Sequence, residues 1–311
     1  MTPNAGPATQ PRPGIAAVVW QSVRPRSLTV AVLPVLVGTA ALARDHTWSA
    51  GVALGCLGVA VLLQAGTNAI NDAEDAATGA DATPTAMPSL ALRRGWIDAR
   101  QARLIGLGAL GLAAVLGLAL ALAIGKPWLL GLGAAGVVVG WAYTAPPLRL
   151  AYRPLGELAS GGPMGIGITW GTAAAQAGAT RVPPAVLWSG AMLAVITAAI
   201  LHANNARDRE SDARIGKRTV ATYLSPRGVV LEFRLLLAAT AVLLVAGLAT
   251  RGLPVTCLVA LPAVMQALRA AARARPDLDA RGWTMLLIAC VGLHLLTGVL
   301  LAAGLLLHAW V

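Results

Sequence analysis

Charged and aromatic residues are scarce in this sequence. Of its 311 residues, 12% are charged and 4% are aromatic, with a single Phe and three Tyr. A soluble domain normally carries about 25% charged residues, so the composition excludes an ordinary water-soluble globule. Hydrophobic residues make up 57% of the chain, which excludes a disordered polymer as well. The sequence therefore predicts an integral membrane protein.

Cysteine is scarce too. Cys56, Cys257 and Cys290 all lie within apolar runs, and no two of them form a C-x-x-C pair. This pattern gives no basis for a disulfide framework or a zinc site. We interpret the three thiols as small apolar packing groups.

Long apolar runs recur along the chain. A helix needs about 20 residues to cross the roughly 30 Å hydrocarbon core of a bilayer. Four runs are long and uninterrupted, and five others are shorter or contain Gly and Pro. In chain order the nine runs cover residues 27–43, 48–70, 104–124, 127–145, 155–178, 185–203, 229–250, 253–270 and 283–307. We predict an all-α polytopic membrane protein with about nine transmembrane helices.

The basic residues give this prediction an orientation. Lys and Arg are enriched in the cytoplasmic loops of membrane proteins. With nine spans and a cytoplasmic N-terminus, twenty of the 24 Lys and Arg residues fall on the cytoplasmic side and four fall outside. We therefore predict an external C-terminus and a location in the cytoplasmic (inner) membrane. The net charge of +11 then reflects orientation and attraction to anionic lipids, and no nucleic-acid partner is expected.

The domain organisation is expected to be simple. Residues 1–19 are rich in Pro and Ala and lack a cleavable signal pattern, so we predict a flexible cytoplasmic tail. Residues 20–311 are predicted to form a single transmembrane domain, because no segment between the apolar runs is long enough for a second one.

The acidic residues are concentrated in two short windows. Seven of the chain's 13 acids lie there: Asp72, Glu74, Asp75 and Asp81 in the first, and Asp208, Glu210 and Asp212 in the second. The windows follow the second and the sixth predicted span, so the orientation above places both at the cytoplasmic boundary. Ionisable residues at a membrane boundary are a functional-site hypothesis by default. The two windows are therefore expected to face one cavity.

Helical spacing groups these residues on two faces, if the helices continue through the windows. One face carries Asn68, Asp72 and Asp75, and the other carries Asn204, Asp208 and Asp212. Stacked carboxylates repel one another, and a shared divalent cation is the usual remedy; Mg²⁺ prefers one or two carboxylates together with substrate phosphates. Basic residues in the second window suit phosphate oxygens. We therefore predict a Mg²⁺-bridged diphosphate site. Glu74 and Glu210 point away from the aspartate faces, so we expect their alanine variants to have only mild effects on turnover.

The first window resembles a known motif. The stretch T-N-A-I-N-D-A-E-D from Thr67 to Asp75, followed by Gly79 and Asp81, is similar to the first aspartate motif of the UbiA-type intramembrane prenyltransferases. Within that family, its spacing is most similar to that of the 1,4-dihydroxy-2-naphthoate polyprenyltransferases of menaquinone synthesis.

The second window agrees with the first. The stretch N-N-A-R-D from Asn204 to Asp208, followed by Asp212 and by G-K-R-T from Gly216, is similar to the second motif of the same subfamily. The resemblance covers essentially residues 20–310.

The resemblance implies a set of site residues. The magnesium ligands, held largely through the diphosphate, would be Asp72, Asp75, Asp81, Asp208 and Asp212. The residues that orient the metal shell or contact phosphate oxygens would be Asn68, Asn71, Asn204 and Asn205. The diphosphate donors would be Arg207, Lys217 and Arg218, with Arg93 and Arg94 as further candidates. Tyr143 would either shield an allylic cation with its ring face or be an ordinary interfacial aromatic residue.

The implied reaction is the Mg²⁺-dependent transfer of a polyprenyl group from its diphosphate to an aromatic acceptor. The subfamily resemblance implies 1,4-dihydroxy-2-naphthoate as the acceptor, with decarboxylation to demethylmenaquinol. Ala73 stands where that subfamily generally has Tyr, so the acceptor stays open, and Ala73→Tyr is expected to change acceptor preference.

The alternatives are a 4-hydroxybenzoate or homogentisate prenyltransferase and a membrane terpene cyclase, which use the same aspartate motifs. A divalent-cation transporter is a more remote alternative, since it would place its carboxylates near the bilayer midplane.

Overall fold

The computed structural model describes residues 13–79 and 88–311. Within these ranges the secondary structure is entirely helical, as predicted. The α-helices are α1 (Ile15–Ser22), α2 (Thr29–Ala40), α3 (Ala50–Thr78), α4 (Leu90–Arg93), α5 (Ala99–Ala123), α6 (Leu129–Ala142), α7 (Gly156–Gly161), α8 (Ile168–Ala177), α9 (Pro184–Arg214), α10 (Val220–Tyr223), α11 (Pro226–Ala249), α12 (Leu261–Arg273) and α13 (Ala280–His308). Asp81 and the first twelve residues of the predicted tail lie outside the described ranges.

Six helical segments are long and apolar enough to cross a membrane by length and composition. They are α3, α5, α9, α11, α13 and the segment Val255–Arg273, in which a 3₁₀ turn leads directly into α12. The chain is therefore an integral membrane protein with several membrane-crossing helices.

The other three predicted runs are also helical, but each departs from a regular span. Helices α2 and α6 are apolar and only 12 and 14 residues long. At 1.5 Å per residue they reach roughly 20 Å, less than the hydrocarbon core. The fifth run consists of α7 and α8 joined by a π-helical segment, Gly162–Gly167. The count of nine spans therefore stays a prediction.

Helices α3 and α9 continue beyond the apolar part of their sequences. The 31 residues of α9 extend for roughly 46 Å, well beyond the thickness of the hydrocarbon core. Both helices stop shortly before a glycine in a left-handed conformation, Gly79 with φ +78° and Gly216 with φ +76°. Residues 72–75 of the first window and the whole second window thus lie at the C-terminal ends of long helices, and the expectation of helical continuation is confirmed for these residues.

Small residues let α3 and α5 pack closely. A methyl group added to Gly106 would lie 2.6 Å from a side-chain carbon of Ile70 and 2.9 Å from the carbonyl oxygen of Gly66. Only hydrogen fits at this crossing, which is the usual reason for glycine at helix contacts in membranes. The contact fixes the C-terminal half of α3 and with it the first aspartate window.

The largest apolar core lies between α9, α11, α12 and α13. Phe233, the one Phe of the chain, is fully buried there and makes an edge-to-face contact with Trp283 at 5.5 Å between ring centroids. Close packing of this kind, rather than transfer out of water, stabilises contacts between helices in a membrane. This core holds α9 in place beneath the second aspartate window.

Candidate active site

One large cavity brings the two aspartate windows together. Its volume is about 1850 Å³, and its polar end contains Asn71 and Asp75 from α3 and Asn204, Asp208 and Asp212 from α9. The prediction that the two windows face one cavity is confirmed for these residues. The rest of the wall is mainly apolar and comes largely from α3, α5, α6 and the α7–α8 region; it includes Val59, Leu63, Leu120, Gly133, Val137 and Ile168.

Asp75 is the carboxylate that the first window presents to this cavity. The Asn71 amide nitrogen donates to Asp75 Oδ2 at 2.9 Å, which is an i, i+4 contact on the same helix face. The Tyr152 hydroxyl donates to Asp75 Oδ1 at 2.6 Å. These two donors fix the carboxylate at the polar end of the cavity.

Asp72 does not line the cavity, contrary to its predicted role as a metal ligand. Its side chain is fully buried, forms an ion pair with Arg24, and accepts a hydrogen bond from the Ser89 backbone N–H at 3.0 Å. On a helical wheel, Asp72 and Asp75 are about 60° apart, which is enough to turn Asp72 toward the N-terminal segment. Asp72 therefore anchors Arg24, and Arg24 itself lines the cavity.

Asn68 also has a different role from the predicted one. Its amide nitrogen donates to the Val23 carbonyl at 2.9 Å and to Ser27 Oγ at 2.8 Å, and its oxygen accepts from Gln64 at 3.1 Å. Although Asn68 lies in the cavity wall, both of its amide hydrogens are already used. It fastens the N-terminal segment to α3 and leaves no donor for phosphate.

The second window presents two carboxylates with cationic partners. Arg207 donates through Nε to Asp208 Oδ1 at 2.9 Å and through Nη2 to Asn204 Oδ1 at 2.8 Å. The Lys217 ammonium lies 3.4 Å from Asp212 Oδ2, yet that buried oxygen accepts no hydrogen bond within the described part of the chain. This end of the cavity therefore combines negative charge with side chains that could bind phosphate.

Tyr152 connects the two windows, although no role was predicted for it from the sequence. Its hydroxyl bonds Asp75, the Lys217 ammonium lies 5.2 Å from its ring centroid, and its carbonyl accepts from the Arg218 N–H at 3.0 Å. Burial and the neighbouring Asp75 carboxylate raise the pKa of Tyr152 above its usual range, so the hydroxyl remains a donor at neutral pH. Tyr152 lies within residues 20–310, which the family resemblance covers, but neither aspartate motif includes it.

The other predicted site residues differ in whether they line the cavity. Tyr143 and Arg93 both line the cavity. The Arg218 side chain is exposed and lies outside the cavity lining, so only its backbone contacts the site. Asp81 falls outside the described residues.

Two residues of the first window have surroundings that the sequence did not predict. Glu74 is buried, its Oε1 accepts from Arg103 at 2.7 Å, and its Oε2 lies 3.9 Å from Arg149, so its alanine variant would leave two partly exposed cations without their carboxylate partner. Ala73 is fully buried beside Val18 in a small apolar cluster outside the cavity lining, so a Tyr there would collide with the packing rather than select an acceptor.

Comparison with known proteins identifies the family of this chain. The model of the UbiA prenyltransferase family matches residues 31–291. The chain is 36% identical to a 1,4-dihydroxy-2-naphthoate octaprenyltransferase of Mycobacterium tuberculosis, over 92% of this chain and 95% of that protein. It is 28% identical to the enzyme of the same name from Bacillus subtilis, over 72% and 71% of the two chains.

Solved structures share the fold. A UbiA homologue from Aeropyrum pernix superposes with a TM-score of 0.69 at 19% identity, over 90% of this chain and 97% of that one. A UbiA homologue from Archaeoglobus fulgidus, solved with DMAPP and Mg²⁺ bound, superposes with a TM-score of 0.63 at 16% identity, over 92% and 99% of the two chains.

Proposed function

The chain belongs to the UbiA prenyltransferase family, and we propose that its acceptor is 1,4-dihydroxy-2-naphthoate, which it prenylates with loss of the carboxylate as CO₂. The names of its relatives support this acceptor. The donor is a polyprenyl diphosphate. The product in this proposal is a demethylmenaquinol.

The observation that carries the proposal is the shape and polarity of the cavity. Three aspartates from two distant sequence windows and the cationic Arg207 and Lys217 occupy one end, while most of the wall is apolar. A diphosphate suits the charged end, and a polyprenyl chain suits the apolar wall. A soluble phosphate ester would have no use for the apolar part.

We further propose that Mg²⁺ is the cofactor, held by Asp75, Asp208 and Asp212. The chemistry of this set fits, because Mg²⁺ prefers carboxylate oxygens together with substrate phosphates. The buried Asp212 Oδ2 accepts no hydrogen bond from the described residues, although the Lys217 ammonium lies 3.4 Å away, so the oxygen keeps a lone pair for a metal ion. When bound, the ion would neutralise charge on the departing diphosphate.

The chain's own side chains have separate tasks in this proposal. Arg207, Lys217 and Arg93, which all line the cavity, donate hydrogen bonds to diphosphate oxygens. Asn71 and Tyr152 hold the Asp75 carboxylate in position. Such fixed donors stabilise the developing charge without reorganisation during the reaction, which is usually a large contribution to catalysis.

The apolar wall excludes water from the allylic carbon while the aromatic ring approaches it. Tyr143 lies in this wall and offers its ring face to a developing cation. Exclusion of water prevents hydrolysis of the reactive group, so the acceptor ring becomes the favoured nucleophile. An electron-rich dihydroxynaphthoate needs little further activation.

The proposed topology has nine membrane passes, a cytoplasmic N-terminus and an external C-terminus, with residues 20–311 as one domain in the inner membrane. The predicted flexible tail of residues 1–19 is too long, because Ile15 begins helix α1 and Val18 is buried against the domain. Residues from several predicted external loops line one small second cavity, Arg44, Pro183 and Arg251 among them, which supports this topology. Reporters fused after Arg94 and after Arg218 should be cytoplasmic, and one after Val311 should be external. A periplasmic signal at either aspartate window would contradict the topology.

The direct test uses carboxyl-labelled 1,4-dihydroxy-2-naphthoate with the purified protein. We expect labelled CO₂ release that requires both a polyprenyl diphosphate and Mg²⁺. No release, together with efficient prenylation of 4-hydroxybenzoate or homogentisate, would move the protein to another branch of the family. A cyclised hydrocarbon formed without any acceptor would indicate a terpene cyclase.

A further inference from the structure

A cluster of three ionisable side chains, two buried and one partly exposed, lies next to the cavity wall. It consists of Glu157 on α7, His202 on α9 and Glu232 on α11, and none of them lines the cavity. His202 is fully buried and Glu157 is 8% exposed. The His202 Nδ1 atom lies 3.6 Å from an oxygen of each glutamate. Among the described residues, Asn205 connects the side chains of the cluster to the cavity wall through its hydrogen bond to Glu157.

The contacts of His202 determine which of its atoms carry hydrogen. Its Nε2 lies 2.9 Å from the Val229 carbonyl oxygen, which can only accept, so Nε2 bears a hydrogen. A neutral ring would then point the lone pair of Nδ1 at two carboxylate oxygens. Within a buried region such an arrangement is strongly unfavourable. A proton on Nδ1 makes the ring positively charged, so the repulsion between its lone pair and the carboxylate oxygens becomes an attraction.

We propose that His202 is an imidazolium and that its charge fixes Asn205 with the carboxamide oxygen facing the cavity. The inference rests on the proposed function, because the cavity is the proposed prenyltransfer site. It assigns His202 and Glu157 as positioning residues that act through Asn205.

The orientation of Asn205 follows from the charge of Glu157. The Asn205 amide nitrogen donates to Glu157 Oε1 at 3.0 Å. An ionised carboxylate only accepts hydrogen bonds, so it holds the nitrogen and turns the oxygen away. A protonated Glu157 could instead donate to the amide oxygen, which would reverse the amide. The imidazolium keeps Glu157 ionised and therefore selects the observed orientation.

This orientation limits what Asn205 can bind. Asn205 lines the cavity although it is only 1% exposed, and its amide nitrogen is held by Glu157 on the side away from the cavity lining. The carboxamide oxygen cannot donate to phosphate, and the nitrogen already gives one of its two hydrogens to Glu157. The oxygen accepts from an O–H group, either water bound to a cation or a hydroxyl of the aromatic acceptor.

The charge of His202 can be measured without any assay of activity. The chain has four histidines, so nitrogen NMR of protein labelled only at histidine gives few signals, and His202→Gln identifies those of His202 by their loss. We expect both ring nitrogens of His202 to be protonated at neutral pH. An unprotonated nitrogen, or a metal-bound nitrogen whose signal a chelator changes, would overturn the proposal.

A double-mutant cycle tests whether His202 acts through Asn205. We expect His202→Gln and Asn205→Ala each to lower kcat/KM by roughly 10- to 100-fold, since small displacements at a reacting site have effects of that size. The double variant should lose no more than Asn205→Ala alone. Multiplied losses would show that His202 acts independently of Asn205. His294→Gln is the matched control, because His294 is equally buried but neither of its ring nitrogens has a hydrogen-bond partner within the described part of the chain.

The Asn205→Ala variant also identifies the O–H group. A raised KM for the aromatic acceptor indicates its hydroxyl, and a raised Mg²⁺ requirement indicates metal-bound water; no change in either overturns the assignment of the oxygen. If the wild-type protein fails to prenylate the naphthoate, the proposed function fails, but the NMR experiment still decides the charge of His202.

Discussion

Asp72→Asn separates two roles that the first aspartate window allows for this residue. A magnesium ligand would lose metal affinity on this substitution. The structure instead gives Asp72 a buried ion pair with Arg24 and a hydrogen bond from Ser89. An Asn side chain keeps an acceptor for the Ser89 N–H but removes the charge that holds Arg24. We therefore expect a loss of stability with an unchanged Mg²⁺ requirement.

The size of the effect follows from the burial of the pair. Removing one partner of a fully buried ion pair costs about 3 to 5 kcal/mol. The Arg24 side chain is 30% exposed and Asp72 is fully buried, so solvent relieves part of the penalty on Arg24. We expect about 2 kcal/mol, which lowers the thermal midpoint by on the order of 5 °C in a protein of this size.

The assay compares thermal stability in detergent with the Mg²⁺ concentration that gives half-maximal rate. Arg24→Gln should destabilise by a similar amount, and the double variant should cost less than the sum of the two singles. Asp75→Asn is the matched comparison, with a raised Mg²⁺ requirement and near-normal stability. A raised Mg²⁺ requirement and unchanged stability in Asp72→Asn would refute this reasoning.

Three further predictions concern other residues of the site. Asp75→Ala, Asp208→Ala and Asp212→Ala should each lower turnover by on the order of 10²-fold because each removes charge at the diphosphate end, whereas Glu210→Ala, at a 90% exposed side chain, should be near normal. Glu74→Ala should lower thermal stability measurably more than Glu210→Ala, because it leaves Arg103 unpaired; equal midpoints would contradict this. Tyr152→Phe should lower kcat/KM by roughly tenfold through the lost bond to Asp75, while the wild-type pH profile should show no tyrosine ionisation up to pH about 10, since its pKa is raised; a tyrosine-dependent limb near neutrality would count against this role.

The sequence determined the class of protein and the location of its chemistry. Helix formation across a membrane depends on local composition, so apolar runs could be read without knowledge of their neighbours. The two aspartate windows were also visible, because clustered acids beside apolar runs are costly without a function. Helical continuation through residues 72–75 and through the second window was confirmed, and the i, i+4 spacing of Asn71 and Asp75 places them together on the cavity side.

The tertiary structure decided which residues of each window face the cavity and which support them. Helical spacing gives relative angles around α3 but not which neighbour packs on each side, so Asp72 could not be separated from Asp75 by sequence. Tyr152 lies 77 residues from Asp75, and Glu157 lies 48 residues from Asn205. Contacts at such separations depend on how the helices pack against one another, and packing is set by the shapes of side chains from the whole chain rather than by any local pattern.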